Sequence, residues 1–338
     1  MSRRIGVFII TLSACAGLTP TLPAATPWES VQVAYQDAAV VREKVSYRSG
    51  GLRINGQVCH PNRTGRFPVL LWNHGGFEGL QASDEAFCQG FANFGYTVLM
   101  SSYRGEDASE GAIEVCQGEV DDALRMLELG RGLPFASPDR VGVMGGSHGG
   151  CISLRAVQNG APAQVLVDFY GPSDWAAEYE QIQQLIASND ATKQFVGKTL
   201  NAVVTKALGG TPAQVPQQYA LRSPRQYAAS LGNWTGAVMI VHGVQDWFVL
   251  PSQSCDLAAS IGGFSSYRID ASKTVVDSAP SGCEAAGLKW TGAELPRAAW
   301  SGQRYLLVYD RLAHGDGDQR DLAIADALDF LTHKLPPQ

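Results

Sequence analysis

The sequence predicts an α/β protein with a mostly parallel central sheet and helices on both faces, and two patterns indicate it. From Arg53 onward, strand-like apolar runs alternate with helix-length amphipathic stretches, which is typical of a parallel sheet wrapped by helices. The strand-like runs are apolar at consecutive positions, so we expect both of their faces to be covered. The predicted strands are Phe67–Trp72, Thr97–Ser101, Val141–Met144, Gln164–Phe169, Ala237–Val241 and Tyr305–Tyr309, and the predicted helices are Ala86–Phe94, Glu119–Leu129, Cys151–Gln158, Ser252–Ser260 and Asp321–Lys334.

The length of 338 residues suits one large core, and we expect a single domain over residues 26–338. Two segments interrupt the alternation of strands and helices. Residues 175–234 are rich in Gln, Ala and Tyr and predict a helical excursion, or lid, over the rim of the sheet. Residues 271–302 are rich in Gly, Ser and Pro and predict a surface insertion.

The N-terminus has the layout of a secretory signal peptide over residues 1–25. Two arginines precede an apolar run over residues 5–12, which is too short to span a bilayer, and small residues and prolines follow. Cleavage after Ala24 or Ala25 would release a periplasmic or secreted protein. A second outcome stays open, because the sequence LSAC resembles a bacterial lipobox that would leave a lipid anchor on Cys15.

Outside the signal segment the chain has an even number of cysteines, which in an exported protein suggests disulfide bonds. The sequence cannot choose among the possible pairings. We expect Cys88 to pair with Cys116 and Cys255 to pair with Cys283. Cys151 follows the predicted nucleophile motif at a helix start, where an unpaired small buried side chain fits best.

Composition and spacing exclude several classes of function. Charged residues make up 17% of the chain and the formal net charge is -6, so no basic surface is expected for nucleic acid or an anionic membrane. The chain has neither paired C-x-x-C spacing nor H-E-x-x-H, and no dinucleotide-binding fingerprint follows the first strand. We therefore expect no metal, no cofactor and no nucleic-acid partner, while the oligomeric state stays open.

The predicted strand Val141–Met144 runs directly into the sequence GGSHGG at residues 145–150, and a helical stretch follows. A G-x-S-x-G sequence between a strand and a helix predicts a nucleophile elbow, the sharp turn that exposes a catalytic serine in the α/β-hydrolase fold. The turn is so tight that the flanking positions can carry almost no side chain, which explains the glycines. The sequence therefore predicts Ser147 as a nucleophile above the carboxyl ends of the strands.

A serine nucleophile needs a histidine that takes its proton and a carboxylate that orients the histidine. In this fold both follow the serine, with the histidine last. Of the histidines beyond the elbow sequence at 145–150, His242 ends a predicted strand and His333 lies in the last predicted helix. His314 lies in a loop between the last strand and that helix, so it is the predicted base.

The predicted acid is Asp246, because it follows the strand Ala237–Val241 and should lie level with the elbow. Asp174 occupies a similar place after the preceding strand and is the alternative. Their non-catalytic roles would be a helix N-cap for Asp174 and a loop turn for Asp246.

A tetrahedral intermediate also needs backbone N–H groups directed at its oxyanion. His148, the residue after the nucleophile, is one predicted donor. The loop after strand Phe67–Trp72 reads NHGGF, and Gly76 in this loop is the other predicted donor. His74 precedes Ser147 in the chain, so we expect it to make a structural hydrogen bond rather than to act as the base.

Several of these stretches together resemble the catalytic domain of the prolyl oligopeptidase family, over residues 67–331. They are WNHGG (72–76), SSYRGEDASEG (101–111), DRVGVMGGSHGG (139–150), LGGTPAQVPQQYALRSPRQYA (208–228), IVHGVQDWFV (240–249) and the AHG around His314. The elbow GGSHGG is similar to that of acylaminoacyl peptidases, and the branch includes dienelactone hydrolase-like esterases. The resemblance implies an α/β-hydrolase fold and a triad of Ser147, Asp246 and His314.

Two departures limit what the resemblance implies about the substrate. Peptidases of the family carry a β-propeller before the catalytic domain, and residues 26–66 leave no room for one. The stretch between Asp246 and His314 is also longer than usual, so we expect the insertion at 271–302 to lie beside the active site. The site residues suit a hydrolase that cleaves a small acyl ester through an acyl-enzyme intermediate, with a serine peptidase for short peptides as the alternative. A binding module that has lost catalysis is a third reading.

Overall fold

A computed structural model describes residues 27–338, which contain one 11-stranded sheet in the order β1-β2-β3-β5-β4-β6-β7-β8-β11-β9-β10. The strands from β5 to β9 in this order are parallel to one another, whereas β1, β2, β3 and β10 pair antiparallel. The predicted mostly parallel sheet is confirmed. The strands are β1 (Ser30–Gln36), β2 (Val40–Ser49), β3 (Leu52–Pro61), β4 (Phe67–Asn73), β5 (Thr97–Ser101), β6 (Ala136–Gly146), β7 (Val165–Phe169), β8 (Ala237–Gly243), β9 (Ser265–Ile269), β10 (Val275–Val276) and β11 (Arg304–Tyr309).

Helices cover both faces of this sheet. Successive residues of a strand point to opposite faces, so Leu70 and Leu71 of β4 belong to two separate apolar clusters. One cluster packs against α1 and α9, and the other packs against α2, α3 and α8. The helices are α1 (Ala82–Phe94), α2 (Gly118–Gly130), α3 (His148–Gln158), α4 (Trp175–Ala187), α5 (Ala191–Leu208), α6 (Pro216–Arg222), α7 (Ala228–Asn233), α8 (Pro251–Ile261) and α9 (Arg320–Lys334).

The antiparallel strands β1 to β3 precede the first strand that the sequence predicts. All seven residues of β1 are exposed, so this strand lacks the continuous apolar run by which the central strands are recognised. Strand β3 pairs antiparallel with β5 and joins this N-terminal meander to the parallel sheet.

The segment 175–234 contains α4 to α7 and a 3₁₀ turn at Pro224–Tyr227. Helices α4 and α5 pack against each other, and both contribute apolar side chains to the cavity described below. The prediction that the insertion at 271–302 lies beside the active site is wrong. It lies at the β9–β10 edge of the sheet, where Trp300 packs against Phe330 of α9, and none of its residues lines that cavity.

Within residues 27–338 the cysteines form three disulfide bonds, and only one of the two predicted pairs is present. Cys88 pairs with a cysteine of β3 rather than with Cys116, because α1 packs directly against β3. Cys116 pairs with Cys151, so the interpretation of Cys151 as an unpaired side chain is also wrong. The bonds are Cys59–Cys88, Cys116–Cys151 and Cys255–Cys283.

The predicted signal peptide and Cys15 lie outside the described residues. Among residues 27–338, every helix is too short or too polar to cross a membrane.

Candidate active site

Ser147 lies at the sharp turn between β6 and α3, where the sequence predicts the elbow. Its φ of 56° is in the left-handed region, which strains the backbone of a residue with a side chain. A Cβ on Gly149 would overlap the carbonyl of Asn73, so this position must be glycine. The backbone N–H of Ser147 donates to the Phe169 carbonyl at 2.9 Å and joins the turn to the end of β7.

The structure brings Ser147, His314 and Asp246 together from three separate loops. His314 Nε2 lies 2.8 Å from Ser147 Oγ, and His314 Nδ1 lies 2.8 Å from Asp246 Oδ2. The imidazole is held between two rings, with Phe248 stacked at 4.9 Å and Tyr170 at 4.7 Å between ring centroids. The side chains therefore form a continuous hydrogen-bonded series that ends at the serine hydroxyl.

Asp246 is fully buried, and each of its oxygens has partners. Oδ1 accepts from the backbone N–H groups of Phe248 and Val249, at 2.9 and 3.0 Å. Oδ2 faces His314 and also lies 3.5 Å from His242 Nε2. Burial alone would raise the pKa of Asp246, but the hydrogen bonds from His242 and His314 outweigh it and lower the pKa to about 2. The carboxylate is therefore ionised at neutral pH.

Asp174, the alternative acid, is the N-cap of α4. Its Oδ1 accepts from the backbone N–H groups of Ala176 and Ala177, at 3.0 and 3.2 Å. Its other oxygen faces Arg225 at 3.8 Å. This is the helix-capping role that the sequence offered as the non-catalytic reading.

The loop after β4 places two glycines beside the elbow. A Cβ on Gly75 would lie 3.0 Å from the Gly146 carbonyl and 3.1 Å from Ser147 Cβ, so the close approach requires glycine. Gly76 has a φ of 74°, which glycine adopts without strain. Gly76 and His148 both line the cavity at Ser147. Their roles as oxyanion donors stay predictions.

His74 makes the kind of structural contact that the sequence predicts. Its Nδ1 lies 3.0 Å from the Gly75 carbonyl, and its ring stacks on Tyr103 with the centroids 4.3 Å apart. Burial lowers the pKa of the imidazole, so it is neutral at physiological pH.

Ser147 lies in a cavity of about 370 Å³ between the rim of the sheet and the lid helices. The lid side of its wall is apolar and comes from α4 and α5. This cavity can hold a small acyl group next to the serine hydroxyl. Its apolar lining residues include Trp72, Phe77, Trp175, Ile182, Leu200, Val204, Phe248 and Val249.

One carboxyl group, which no sequence motif marks, lies in this apolar wall. Glu178 of α4 is only 4% exposed, and its Oε2 has no hydrogen-bond partner within residues 27–338. Burial, and secondarily the charge of Asp246, raises its pKa to about 8. No motif surrounds Glu178 in the chain, so only the packing of α4 over the elbow could have identified it.

The described residues give no indication of a metal centre. Within residues 27–338, no group of three or more His, Cys, Asp and Glu side chains could hold a metal ion.

The fold and the serine at its elbow define the class: the protein is a serine hydrolase of the α/β-hydrolase fold. Residues 17–262 match the family described as X-Pro dipeptidyl-peptidase (S15 family), and the chain belongs to that family. A curated relative, the Uncharacterized peptidase YtmA of Bacillus subtilis (strain 168), is 27% identical over 203 residues, which are 60% of this chain and 72% of the relative.

Two kinds of solved structure share the fold. Pyrococcus horikoshii acylaminoacyl peptidase superposes with a TM-score of 0.61 at 18% identity, over 89% of this chain and 42% of the peptidase. This chain therefore spans about two fifths of the length of that structure. The acetyl xylan esterase from Paenibacillus sp. R4 superposes with a TM-score of 0.58 at 15% identity, over 90% of this chain and 89% of the esterase. The predicted likeness to acylaminoacyl peptidases is confirmed.

Proposed function

We propose that this protein hydrolyses small acyl esters with Ser147 as nucleophile, His314 as general base and Asp246 as the group that orients His314. The observation that carries the proposal is the hydrogen-bonded series from Asp246 through His314 to Ser147, with two contacts of 2.8 Å. The series ends in a cavity with an apolar wall, where an acyl carbonyl can reach the serine hydroxyl.

The reaction runs in two halves. Ser147 Oγ attacks the acyl carbonyl carbon while its proton moves to His314 Nε2, and the imidazolium then gives this proton to the departing alkoxide. Water, activated by the same histidine, attacks the acyl-enzyme and releases the acid. Asp246 stays ionised throughout, because its pKa of about 2 is far below neutral pH, and it stabilises the imidazolium.

Two backbone N–H groups stabilise the oxyanion in this proposal, those of Gly76 and His148. Both residues line the cavity at Ser147, and the close approach of Gly75 to Ser147 Cβ keeps this loop beside the elbow. Loss of one such donor costs about 10²- to 10³-fold in kcat in other acyl hydrolases.

The ester preference is supported by the apolar wall and by the fold likeness to an acetyl xylan esterase. The wall from α4 and α5 contains Ile182, Leu200 and Val204, which suit an aliphatic acyl group.

A second candidate, a peptidase that acts on short peptides with a free amino terminus, is favoured by Glu178. A buried carboxyl without a partner is costly, and a substrate ammonium group in the cavity would provide one. The family description, X-Pro dipeptidyl-peptidase, supports the same candidate.

A matched substrate panel separates the two candidates. We expect kcat/KM to be higher for p-nitrophenyl acetate and butyrate than for Ala-Pro-p-nitroanilide and its N-acetyl form. If the free-amine anilide is the best substrate and Glu178→Gln removes its advantage over the N-acetyl form, the peptidase is correct and the ester proposal is wrong.

The nucleophile is tested directly by Ser147→Ala. This variant should lose hydrolysis of p-nitrophenyl acetate and labelling by a fluorophosphonate probe, with an unchanged melting temperature. Retained activity would overturn the proposed role of Ser147.

The proposed binding of the acyl chain against the apolar wall is tested by Leu200→Trp, which fills part of the cavity. We expect this variant to lose about tenfold more kcat/KM on p-nitrophenyl hexanoate than on the acetate, since one acyl methylene contributes about 1 kcal/mol. Equal losses on both esters would show that the acyl chain does not lie against α5.

We further propose that the protein acts outside the cytoplasm, in the periplasm or in the medium, or as a lipid-anchored form. The three disulfide bonds support this, because such bonds persist in oxidising compartments. Fractionation of cells, with mass spectrometry of the mature N-terminus, distinguishes cleavage after Ala24 or Ala25 from lipidation of Cys15.

A further inference from the structure

The imidazole of His148 bonds two backbone segments that flank the elbow. The Cys116 N–H donates to His148 Nε2 at 2.9 Å, so Nε2 is the unprotonated nitrogen of the ring. The proton is therefore on Nδ1, which donates to the Gly76 carbonyl at 3.2 Å. The contact with Cys116 thus fixes the tautomer that can bind the Gly76 loop.

The ring is enclosed on several sides and is only 2% exposed. Phe77 lies 4.7 Å away and Trp175 lies 6.4 Å away, measured between ring centroids. Burial, and to a smaller extent the neighbouring His74, lowers the pKa of His148 to about 3. The neutral form, which has one donor and one acceptor nitrogen, therefore persists at neutral pH.

The His148 ring is the contact that holds the Gly76 carbonyl. Within residues 27–338, the Nδ1–H of His148 is the one donor to the Gly76 carbonyl, and no atom outside residues 75–77 lies within 4 Å of the place where a Cβ of Gly76 would be. This carbonyl belongs to the peptide group that follows Gly76 Cα, whereas the predicted oxyanion donor, the Gly76 N–H, belongs to the peptide group before it. A displacement of about 1 Å at such a donor is enough to weaken an oxyanion contact strongly.

We propose that the side chain of His148 is a positioning residue, which holds the Gly76 carbonyl and thereby restrains the Gly76 backbone so that its N–H, on the preceding peptide group, stays directed at the oxyanion. The inference rests on the proposed function, in which Gly76 and His148 supply the two backbone donors. His148 then contributes one oxyanion donor through its own backbone N–H and positions the other donor, the Gly76 N–H, through its imidazole.

The disulfide Cys116–Cys151 anchors this arrangement to the elbow. Cys151 lies in α3, and its backbone N–H donates to the Ser147 carbonyl at 3.2 Å. The loop that fixes the His148 ring is thereby attached covalently to the helix that begins at the nucleophile.

The test compares His148→Asn with His148→Ala. Both variants lose the acceptor for Cys116, but the asparagine amide can still donate to Gly76 from a position close to that of Nδ1. With p-nitrophenyl acetate we expect His148→Ala to lower kcat about 10- to 100-fold while KM changes less than about threefold. His148→Asn should recover most of that loss.

Equal kcat losses in the two variants, or a change in KM as large as that in kcat, would overturn the inference. If His148→Ala does not fold, the disulfide provides a second measurement. Cys116→Ser with Cys151→Ser should lower kcat at least fivefold, whereas Cys255→Ser with Cys283→Ser should leave it within about twofold. Equal kcat values in the two double variants would contradict the role of the anchor.

Fluorophosphonate labelling separates this failure from a failure of the proposed function. A wild-type protein labelled at Ser147, with an unchanged kcat in His148→Ala, would refute only the positioning role. Absence of labelling in the wild type would refute the proposed function itself.

Discussion

His242 lies directly behind Asp246, with its Nε2 3.5 Å from the carboxylate oxygen that faces His314. The ring is fixed by two further contacts, since Nδ1 lies 2.7 Å from Ser254 Oγ and Nε2 lies 2.9 Å from the Val249 carbonyl. The proposed acid therefore lies between two imidazoles, one buried and one at the cavity.

His242→Ala should destabilise the fold and slow the reaction. It leaves the Ser254 hydroxyl and the Val249 carbonyl without their partner, and each buried orphan costs about 1–3 kcal/mol. We expect a loss of at least 2 kcal/mol in urea unfolding and about a tenfold fall in kcat. The control is His333→Ala on α9, which should change the free energy of unfolding by about 0.5 kcal/mol or less.

Asp246→Asn should lower kcat by about 10⁴-fold with little change in KM, because the amide would favour the wrong tautomer of His314. Asp174→Asn is the matched control. Asparagine also caps helices well, so this variant should keep its kcat within about twofold. Steady-state kinetics of both variants on one ester measures this difference in kcat. Similar kcat values for the two variants would contradict the assignment of Asp246 as the acid.

Glu178 makes the stability of the protein depend on pH. Its pKa is raised from 4.5 to about 8, so the folded state binds more protons than the unfolded state between these values, and its contribution falls as the pH rises. Glu178→Gln removes the free-energy cost of ionising this buried carboxyl group. The variant should melt at a higher temperature than the wild type at pH 8, and the difference should shrink at pH 5. A difference independent of pH would show that Glu178 is not buried as an acid.

The disulfide Cys255–Cys283 should contribute to stability without affecting catalysis. It joins α8 to the insertion, and no residue of the insertion lines the cavity at Ser147. We expect Cys255→Ala with Cys283→Ala to lose about 2–4 kcal/mol in urea unfolding while kcat stays within about twofold. A large fall in kcat would mean that the insertion acts on the active site.

The parts of the fold and of the candidate site that could be predicted from the sequence depend on short stretches of chain. The elbow is a strand, a turn and a helix in succession, so the constraint on Ser147 is visible within residues 141–158. The central strands are recognisable because burial on both faces leaves continuous apolar runs. The positions of His314 and Asp246 after two such strands followed from these runs and from chain order.

The features of the fold and site that could not be predicted from the sequence depend on contacts between distant segments. The pairing of Cys88 with Cys59 depends on how α1 packs against β3. The sequence around either cysteine does not indicate its partner. Glu178 is buried in the cavity wall because α4 lies over the elbow, whereas its sequence surroundings resemble an ordinary helix start. The exposed strand β1 has no apolar run, so the antiparallel meander was not predicted.

The order of the disulfide bonds along the chain has a consequence for how the protein is made. Each bond joins a cysteine to the next one in sequence, as Cys59–Cys88, Cys116–Cys151 and Cys255–Cys283, so no bond encloses or interleaves with another. In the proposed export, a chain that emerges from a translocation pore N-terminus first can close each bridge before the next pair appears. Its native bonds can therefore be reached by oxidation alone, without exchange by an isomerase.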